Sequence, residues 1–331
     1  MLKLRVGYLL TVVAIGLILL INFLWSLPDG KLHVVFCNVG QGDAAYIRFP
    51  DGRDMLIDGG PNDKVLGCLG KHMPFWDRSL DLVVLSHPQK DHMQGLISVL
   101  ERYTVKYFVR SDIDNPSEGF QKLTRLIKQK RVNEKLVIIG ENITIGSVNL
   151  TVLWPSSDQI ARMNITSNSV LGASVPSNLN DGSVVVWLRY GSFDVLFPGD
   201  ADNHVNQNFI GVQPTSNTVE GLADDTLEVL KVPHHGSKTG MSQAFIEWLY
   251  PRVAKSDCAA DRNITIQQYS NCPVAVISVG KNSYGHPAPE ILEMLRTKDI
   301  KILRTDEKGD IDLVSDGRAR QTRFSVSAGT K

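Results

Sequence analysis

The sequence lacks an excess of charge of either sign, and it contains few cysteines. Its 331 residues include 35 Lys or Arg and 35 Asp or Glu, so the formal net charge is +0 at pH 7. A chain without net charge does not attract nucleic acid through its overall electrostatics, and any contact with a polyanion must depend on a local patch. The sequence also contains no C-x-x-C pair, which argues against a zinc site built from cysteines.

The four cysteines fall into two pairs with different surroundings. Cys37 lies in an apolar run typical of a strand and Cys68 lies near a predicted helix, so we expect both to be packing residues rather than metal ligands. Cys258 and Cys272 flank a polar segment that resembles an insertion. Outside the cell a disulfide between these two would close an otherwise unsupported hairpin, and we expect that disulfide in the exported protein.

Charge is also missing from residues 6–25, which form an apolar run behind Lys3 and Arg5. About 20 such residues suffice to cross a bilayer. A cleavable signal peptide is the alternative, but its apolar region is usually about 7–15 residues long and precedes a small-residue cleavage site. Residues 23–28 offer no clean site of that kind. We therefore expect an uncleaved single-pass anchor in a bacterial-type cell membrane, with secretion as the outcome if the segment is cleaved.

The basic N-terminal flank favours a cytoplasmic N-terminus and an extracytoplasmic main domain. The overall composition, 43% hydrophobic and 21% charged, is ordinary for a globular protein with a substantial core. The sequence shows no strong internal repeat and no second domain beyond the anchor. The expected organisation is a flank at residues 1–5, an anchor at residues 6–25, a linker at residues 26–32 and one α/β domain at residues 33–331.

A polar stretch at residues 86–95 reads S-H-P-Q-K-D-H-M-Q-G. An apolar run typical of a buried strand precedes it, and a run typical of a helix follows. His87, Asp91 and His92 therefore sit in a tight turn at the carboxyl end of a strand. Two imidazoles and a carboxylate aimed at one point suit zinc or manganese. This stretch alone is explained equally well by a solvated helix N-terminus.

Two later strand ends favour the metal site. Residues 195–200, V-L-F-P-G-D, form an apolar run that ends at Asp200, and residues 227–236 end in the adjacent His234 and His235. In a layered α/β fold the carboxyl ends of strands share one edge, where ligands usually bind. Three strands that each deliver metal-ligand residue types to such an edge indicate a metal site.

The order of these motifs resembles that of metallo-β-lactamase-fold hydrolases, in which H-x-x-x-D-H is followed by G-D and then by H-H-G. The similarity is closer to the hydrolase domain of ComEC-type DNA-internalisation proteins, and it extends from about residue 33 to residue 315. The motifs that carry it are V-G-Q-G-D at 39–43, D-G-G at 58–60, H-P-x-x-D-H-x-x-G at 87–95, N-D-G-S at 180–183, G-D at 199–200, K-V-P-H-H-G-S at 231–237 and N-S-Y-G-H-P at 282–287.

The resemblance implies an αββα sandwich, two sheets face to face with helices outside. It also implies a metal-dependent phosphodiesterase, a nuclease that acts on DNA outside the membrane and degrades the strand that is not imported. The family's multi-helix channel is not part of this sequence, so we expect either a separate channel protein as partner or a free-standing hydrolase. An envelope phosphodiester such as phosphorylcholine on wall polymers is the alternative substrate. A degenerate anion-binding module without turnover is the alternative to an enzyme.

The strand ends and the resemblance together give the expected site residues. We expect one or two divalent ions, zinc or manganese, bound by His87, Asp91, His92, Asp200 and His234. The expected catalytic residues are His235, His286 and Asp91, with His235 in substrate or acid–base work and His286 as general acid or phosphate contact. Which of the two adjacent histidines binds the metal stays open. The expected substrate contacts are Asn180, Ser183, Ser237 and Asp43.

Three positions depart from the family pattern. Gln89 occupies the middle histidine position of the wider H-x-H-x-D-H motif, and Asn180 lies near the place of a later histidine. Asn38 stands where family members usually carry Asp. These departures weaken the His87 side of a metal pair and are compatible with one tightly held ion and one loose ion, or with one ion alone.

Two further segments carry structural expectations. Residues 117–130 have the apolar spacing of a helix, and a basic cluster occupies its other face and its end: Lys122, Arg125, Lys128, Lys130 and Arg131. A solvated helix face and a contact with a phosphate backbone both explain this cluster. Residues 156–181 are rich in Ser, Asn and Gly without periodicity, and we expect a long surface loop there.

Overall fold

The protein is described by a computed structural model, and the described residues are 2–25, 27–168, 178–208, 210, 227–250, 269–270, 273–318 and 322–326. Helix α1 (Leu2–Trp25) precedes the domain. Its segment Val6–Leu24 has a mean hydropathy of 2.4 over an 18-residue window and is not buried by the rest of the chain. An apolar helix of this length can cross a membrane as an anchor, and a signal sequence has the same properties.

The domain contains two sheets. Within the described residues the first sheet has nine strands in the order β12-β16-β15-β1-β2-β3-β4-β5-β6. Strands β3, β4, β5 and β6 are parallel to one another, and the other pairs are antiparallel. The strands are β1 (Leu32–Phe36), β2 (Ala45–Arg48), β3 (Asp54–Ile57), β4 (Ser79–Val84), β5 (Thr104–Arg110), β6 (Asn133–Leu136), β12 (Tyr269–Ser270), β15 (Ile311–Ser315) and β16 (Thr322–Val326).

The second sheet has seven strands within the described residues, in the order β14-β13-β11-β10-β9-β8-β7. Here β10, β11, β13 and β14 are parallel to one another, and β7 to β10 form an antiparallel meander. The strands are β7 (Asn142–Ile145), β8 (Val148–Trp154), β9 (Val185–Tyr190), β10 (Phe193–Phe197), β11 (Val229–Lys231), β13 (Val274–Ile277) and β14 (Lys301–Arg304).

The two sheets pack face to face through alternate side chains of their strands. In β1, Leu32, Val34 and Phe36 belong to a core that also contains inward side chains of β8, β9 and β10. The intervening Val35 belongs to a different cluster, on the outer face of the first sheet. A period of two places alternate side chains on opposite faces of a sheet, so both faces of β1 are covered.

Helices cover the outer faces. Side chains of α2, α3 and α4 pack on the first sheet, and those of α7 and α8 pack on the second. These layers form the expected αββα sandwich. The helices and the short helical turns are α2 (Lys64–His72), α3 (Lys90–Arg102), α4 (Glu118–Gln129), α5 (Ser157–Asn168), α6 (Asn203–Asn206), α7 (Gln243–Leu249), α8 (Pro289–Thr297) and α9 (Thr305–Lys308).

The prediction for residues 156–181 as a loop was wrong over its first half, because α5 occupies Ser157–Asn168. The Ser156 hydroxyl accepts a hydrogen bond from the Gln159 backbone N–H at 3.1 Å, which is a helix N-cap. Ile160 and Met163 are buried. Two apolar residues at a spacing of three suffice to seat a short helix, and so sparse a pattern was hidden by the polar residues around it.

Cys37 and Cys68 are buried packing residues, as predicted. The sequence did not predict that they also form a disulfide, with a Cα–Cα distance of 5.8 Å. This bond joins the chain just beyond β1 to α2 on the outer face of the first sheet. The predicted pair, Cys258 and Cys272, lies outside the described residues.

Candidate metal centre

The loops that follow β1, β3, β4, β10 and β11 meet at one edge of the sandwich. In each case an apolar strand ends and a polar residue follows, so the strand fixes the position from which the polar side chain starts. Four of the side chains, from Asp43, His92, Asp200 and His235, each offer one donor atom within 4.8 Å of the others. All four residues are buried. These four residues are called the cluster below.

Asp200 lies between the two imidazoles of the cluster. Nε2 of His92 is 3.2 Å from Oδ1 of Asp200, and Nε2 of His235 is 3.5 Å from Oδ2 of the same carboxylate. Asp91 approaches from the first turn of α3, where its Oδ2 is 3.4 Å from Nε2 of His235. His87 stacks beside His92, with 4.2 Å between ring centroids. The structure thus brings together four of the five predicted metal ligands and adds His235.

Asp58 fixes the orientation of His92. Its Oδ2 is 2.8 Å from Nδ1 of His92, and its carboxylate accepts hydrogen bonds from the backbone N–H and the hydroxyl of Ser86 at 2.8 and 2.7 Å. A carboxylate at Nδ1 keeps the proton on that nitrogen. The lone pair of Nε2, which faces Asp200, is then available to a metal ion.

The two adjacent histidines point in different directions. Both have a positive φ, 49° at His234 and 53° at His235, a backbone region that non-glycine residues rarely adopt. Nδ1 of His235 donates to the Ser278 carbonyl at 2.9 Å, so its Nε2 faces the cluster. Nδ1 of His234 pairs instead with Oδ1 of Asp202 at 2.9 Å, and its Nε2 is 3.9 Å from Asp200. The His234 side chain is 23% exposed and that of His235 is 2% exposed, so His234 lies at the rim.

The buried donor atoms fit a divalent transition-metal ion. Nε2 of His87, His92 and His235 and both carboxylate oxygens of Asp200 are buried, and none has a hydrogen-bond partner of acceptable geometry within the described chain. Buried polar atoms are normally paired, because leaving one unpaired costs about 1–3 kcal/mol. Imidazole nitrogens and carboxylate oxygens that converge without partners are the donors that zinc, manganese or iron takes.

The electrostatics of the cluster depend on burial and on its carboxylates. Burial and the neighbouring His92 lower the pKa of His87 to about 3, which keeps that imidazole neutral. Burial opposes protonation of His235, but the Asp200 and Asp43 carboxylates outweigh it and raise the pKa to about 10. Burial likewise disfavours the charged form of Asp91, yet contact with His235 lowers the pKa to about 2. A divalent ion would take the place of the His235 proton, so binding releases protons.

Solved structures decide the fold of the chain. The metallo-β-lactamase fold protein YhfI from Bacillus subtilis aligns with a TM-score of 0.50 and 14% identity, over 86% of this chain and 100% of that one. This chain has the metallo-β-lactamase fold. A metal-dependent hydrolase of the β-lactamase superfamily aligns with a TM-score of 0.46 and 13% identity, over 85% of this chain and 98% of that one. No family model matches the chain.

Among curated proteins the chain is similar to ComE operon protein 3 of Bacillus subtilis strain 168, with 24% identity over 314 residues. The alignment covers 89% of this chain and 34% of that protein. The chain therefore spans about a third of the length of this relative. The similarity itself agrees with the ComEC-type resemblance of the motifs.

Lys231 is the site residue that reasoning from the sequence missed. It ends β11, is buried, and places its ammonium in direct contact with Oδ2 of Asp43. The same nitrogen is 3.9 Å from Oδ1 of Asp200. Asp43, predicted to contact substrate, is thus buried in the cluster and paired with a cation. A lysine inside an otherwise apolar strand was the available signal, because a buried lysine requires a partner.

The two departures from the superfamily ligand pattern contact each other. The Gln89 side-chain amide donates to Oδ1 of Asn180 at 2.7 Å, and Nδ2 of Asn180 is 3.5 Å from Nδ1 of His234. Two neutral amide side chains thus lie together next to His234. At the third departure, the backbone N–H of Asn38 donates to Asp310 at 2.9 Å. The carboxylate that orients a histidine of the cluster is that of Asp58, through Nδ1 of His92.

The remaining predicted residues differ in their exposure. The His286 ring is 5.7 Å from the His234 ring, centroid to centroid, and burial lowers its pKa. The Ser183 hydroxyl is buried without a hydrogen-bond partner in the described part of the chain. The Ser237 hydroxyl is 3.1 Å from that of Thr239, which in turn donates to the carboxylate of Asp202 at 2.8 Å. His286 therefore lies beside His234 at the rim, whereas the Ser183 and Ser237 side chains are buried.

Proposed function

We propose that this protein is a metal-dependent hydrolase that cleaves phosphodiester bonds, in DNA or a related polymer, outside the cell membrane. The observation that carries the proposal is the convergence of partnerless buried donor atoms from His92, Asp200 and His235 in a metallo-β-lactamase fold. In the proposed site these three side chains hold one ion, zinc or manganese. Asp91, Asp43 and His87 are the further candidates, and they would complete its coordination or hold a second, weaker ion.

The arrangement of the chain's own groups suits hydrolysis. An ion in the cluster would activate a water molecule and polarise a phosphoryl oxygen. Asp58 and the Ser278 carbonyl fix the two imidazoles before substrate arrives, so little reorganisation is needed at the moment of reaction. His234, held by Asp202 at the rim, is placed to exchange a proton with the attacking water or the leaving oxygen. His286, Asn180, Ser183 and Ser237 are proposed contacts for the phosphate.

The geometry supports His235 as the ligand and His234 as the acid–base group, which is the opposite division from that expected at first. The reason is the backbone at this turn. Two consecutive residues with positive φ send one imidazole into the buried cluster and the next to the exposed rim. Metal affinity decides between the two assignments, because His235→Gln would lower it strongly and His234→Gln would lower it little.

The DNA-like substrate, the extracytoplasmic placement and a separate channel protein as partner are proposed from the resemblance of the motifs to ComEC-type proteins, with which the similarity to ComE operon protein 3 agrees. The apolar α1 supports anchoring in the membrane with residues 33–331 outside.

Helix α4 presents Lys122, Arg125 and Lys128 for contact with a polyanion, although Lys122 already pairs with Glu101 at 2.8 Å. Neutralising these three cations together should weaken polymer cleavage and its salt dependence, with a small phosphodiester unaffected. Equal loss on both substrates would show that the helix is structural.

A non-catalytic anion-binding module is the second candidate, and a specific observation favours it. The Gln89–Asn180 hydrogen bond occupies the side where the wider superfamily places histidines, and the Lys231 ammonium already neutralises Asp43. A site so altered holds fewer metal ions than a complete pair. Turnover separates the two candidates, because both would bind an anion and only the hydrolase would release product.

The deciding experiment measures metal content and hydrolysis in the same samples. Full-length protein purified without chelator is analysed for zinc, manganese and iron, and then assayed on bis(p-nitrophenyl) phosphate and on DNA. We expect at least one ion per chain, hydrolysis of both substrates, and loss of ion and activity in Asp200→Asn. The matched control removes two surface carboxylates, Asp51→Asn and Asp306→Asn, and should change neither. A metal-loaded protein inert on every phosphodiester would leave the binding module in place.

A further inference from the structure

Two adjacent aromatic side chains are exposed in the loop between α2 and β4. The Phe75 side chain is 54% exposed and that of Trp76 is 43% exposed. Their rings contact each other edge to face, with centroids 4.7 Å apart. Soluble surfaces rarely expose neighbouring large aromatics, because the water-exposed apolar area is costly, and such patches usually mark an interaction site.

The pair lies against the apolar helix α1. The ring of Trp76 is 5.2 Å from the ring of Phe23, centroid to centroid, and Phe23 belongs to the segment Val6–Leu24 that has the properties of a membrane span. The loop is therefore at the depth of the last turn of that segment, where hydrocarbon gives way to headgroups.

The covalent connection keeps the loop there. Helix α1 ends at Trp25 and β1 begins at Leu32. Even a fully extended chain over this interval reaches only about 25 Å. The end of the domain at which β1 begins must then stay close to the membrane surface. The Phe75–Trp76 loop lies at that end, because Phe75 lines the same cavity as Lys31 and His33.

The surroundings of the loop also suit lipid headgroups. A cavity of about 510 Å³ lies between the linker and the domain, and Leu27, Pro28 and Phe75 contribute to its wall. Cations and anions share the rest of that wall, including Lys31, Arg48, Lys71, Asp29 and Asp312. A wall with both signs of charge matches phospholipid headgroups, which carry a phosphate and often an amine, better than it matches an apolar protein segment.

We propose that the loop of residues 74–77 is a second membrane contact, which inserts Phe75 and Trp76 into the headgroup region of the leaflet from which α1 emerges. Tryptophan is enriched at that depth because its ring is apolar and its N–H is polar. With α1 as the only contact the domain could rotate about its linker, whereas two contacts fix which face it turns away from the membrane. The proposal rests on the proposed anchoring of α1 in the membrane.

Lipid-dependent fluorescence quenching tests the contact in the full-length protein. The chain is placed in phosphatidylcholine nanodiscs, with or without bromine on the acyl chains near the headgroup. Quenching by the brominated lipid is compared for the wild type, Trp25→Phe and Trp76→Phe. Trp154 and Trp187 are buried in the domain, and Trp248 packs beside Trp187 on the outer face of the second sheet, so these three should contribute nothing. We expect each substitution to reduce the lipid-dependent quenching, and Trp76→Phe to reduce it by about half, because two tryptophans share the interface.

The outcomes separate failure of this contact from failure of the anchor. If Trp25→Phe removes all the quenching and Trp76→Phe removes none, α1 is inserted and the second contact is refuted. If the protein does not incorporate into nanodiscs at all, the anchor itself is refuted, and the second contact with it. A Tyr107→Phe variant, altered at an exposed aromatic of β5, is the matched control and should quench like the wild type.

Discussion

Replacing Lys231 by methionine should destabilise the metal-free protein far more than replacing a surface lysine. Methionine keeps the length and the apolar stem of the side chain but removes its ammonium. The Lys231 and Asp43 side chains are 4% and 7% exposed, so the change removes the ammonium from a buried carboxylate. The His235 imidazole, 3.5 Å from Asp43, is then the closest remaining positive group and compensates only part of the loss. Removing one partner of a buried ion pair typically costs about 3–5 kcal/mol.

The second half of the prediction is rescue by Asp43→Asn. A neutral amide at position 43 needs no cation, so the Lys231→Met/Asp43→Asn protein should regain stability to within about 1 kcal/mol of the wild type, since replacing both members of a buried pair is often nearly neutral. The two effects are therefore strongly non-additive. Such coupling is what a double-mutant cycle measures for groups in direct contact.

The assay is urea unfolding in mild detergent with EDTA present, followed by near-UV circular dichroism. Lys106→Met is the matched control, because Nζ of Lys106 contacts Asp81 at 2.6 Å while its own side chain is 55% exposed. Exposed pairs of this kind contribute only about 0.2–1 kcal/mol. Manganese added to the Lys231→Met protein should raise its free energy of unfolding by more than in the wild type, because the ion supplies positive charge beside Asp43.

Two results would refute this reasoning. Destabilisation by Lys231→Met no greater than that by Lys106→Met would show that the buried pair does not compensate the carboxylate. Additive losses in the double variant would show that Lys231 acts through packing alone, since removing the Asp43 charge would then bring no recovery.

Three further predictions concern Asp58, Asp54 and the pair Cys258 and Cys272. Asp58→Asn should lower metal affinity by about 10–100-fold, because the group that orients His92 is weakened, and calorimetric titration of manganese would show it. Burial raises the pKa of Asp54 to about 6 from 3.8 in the unfolded chain. The stability that the protonated carboxyl allows at low pH is therefore lost as the pH rises through the folded-state value. Urea unfolding between pH 4 and pH 7 should show the wild type losing up to about 3 kcal/mol of unfolding free energy relative to Asp54→Asn. Mass spectrometry without reduction should find Cys258 linked to Cys272 in exported protein, and free thiols at both would remove that prediction.

Much of the fold was predictable because it depends on local pattern. Helix α4 at Glu118–Gln129 agrees to within a residue with the helix expected at residues 117–130. Apolar runs that end in Gly, Pro or a polar residue define strand ends without knowledge of the rest of the chain. Helix α5 was not predicted because polar residues dominate its sequence, and Ile160 and Met163 are the buried apolar side chains in its described part, residues 157–164.

The sequence by itself determined which residue types arrive at the site edge, since each motif follows its own strand directly. It could not decide between His234 and His235, because that choice depends on two positive φ angles that no composition rule requires. Nor could it pair Lys231 with Asp43 or Cys37 with Cys68, because the members of each pair lie far apart in the chain and on different elements. Such contacts exist only once both sheets have formed and packed, so only the tertiary structure decided them.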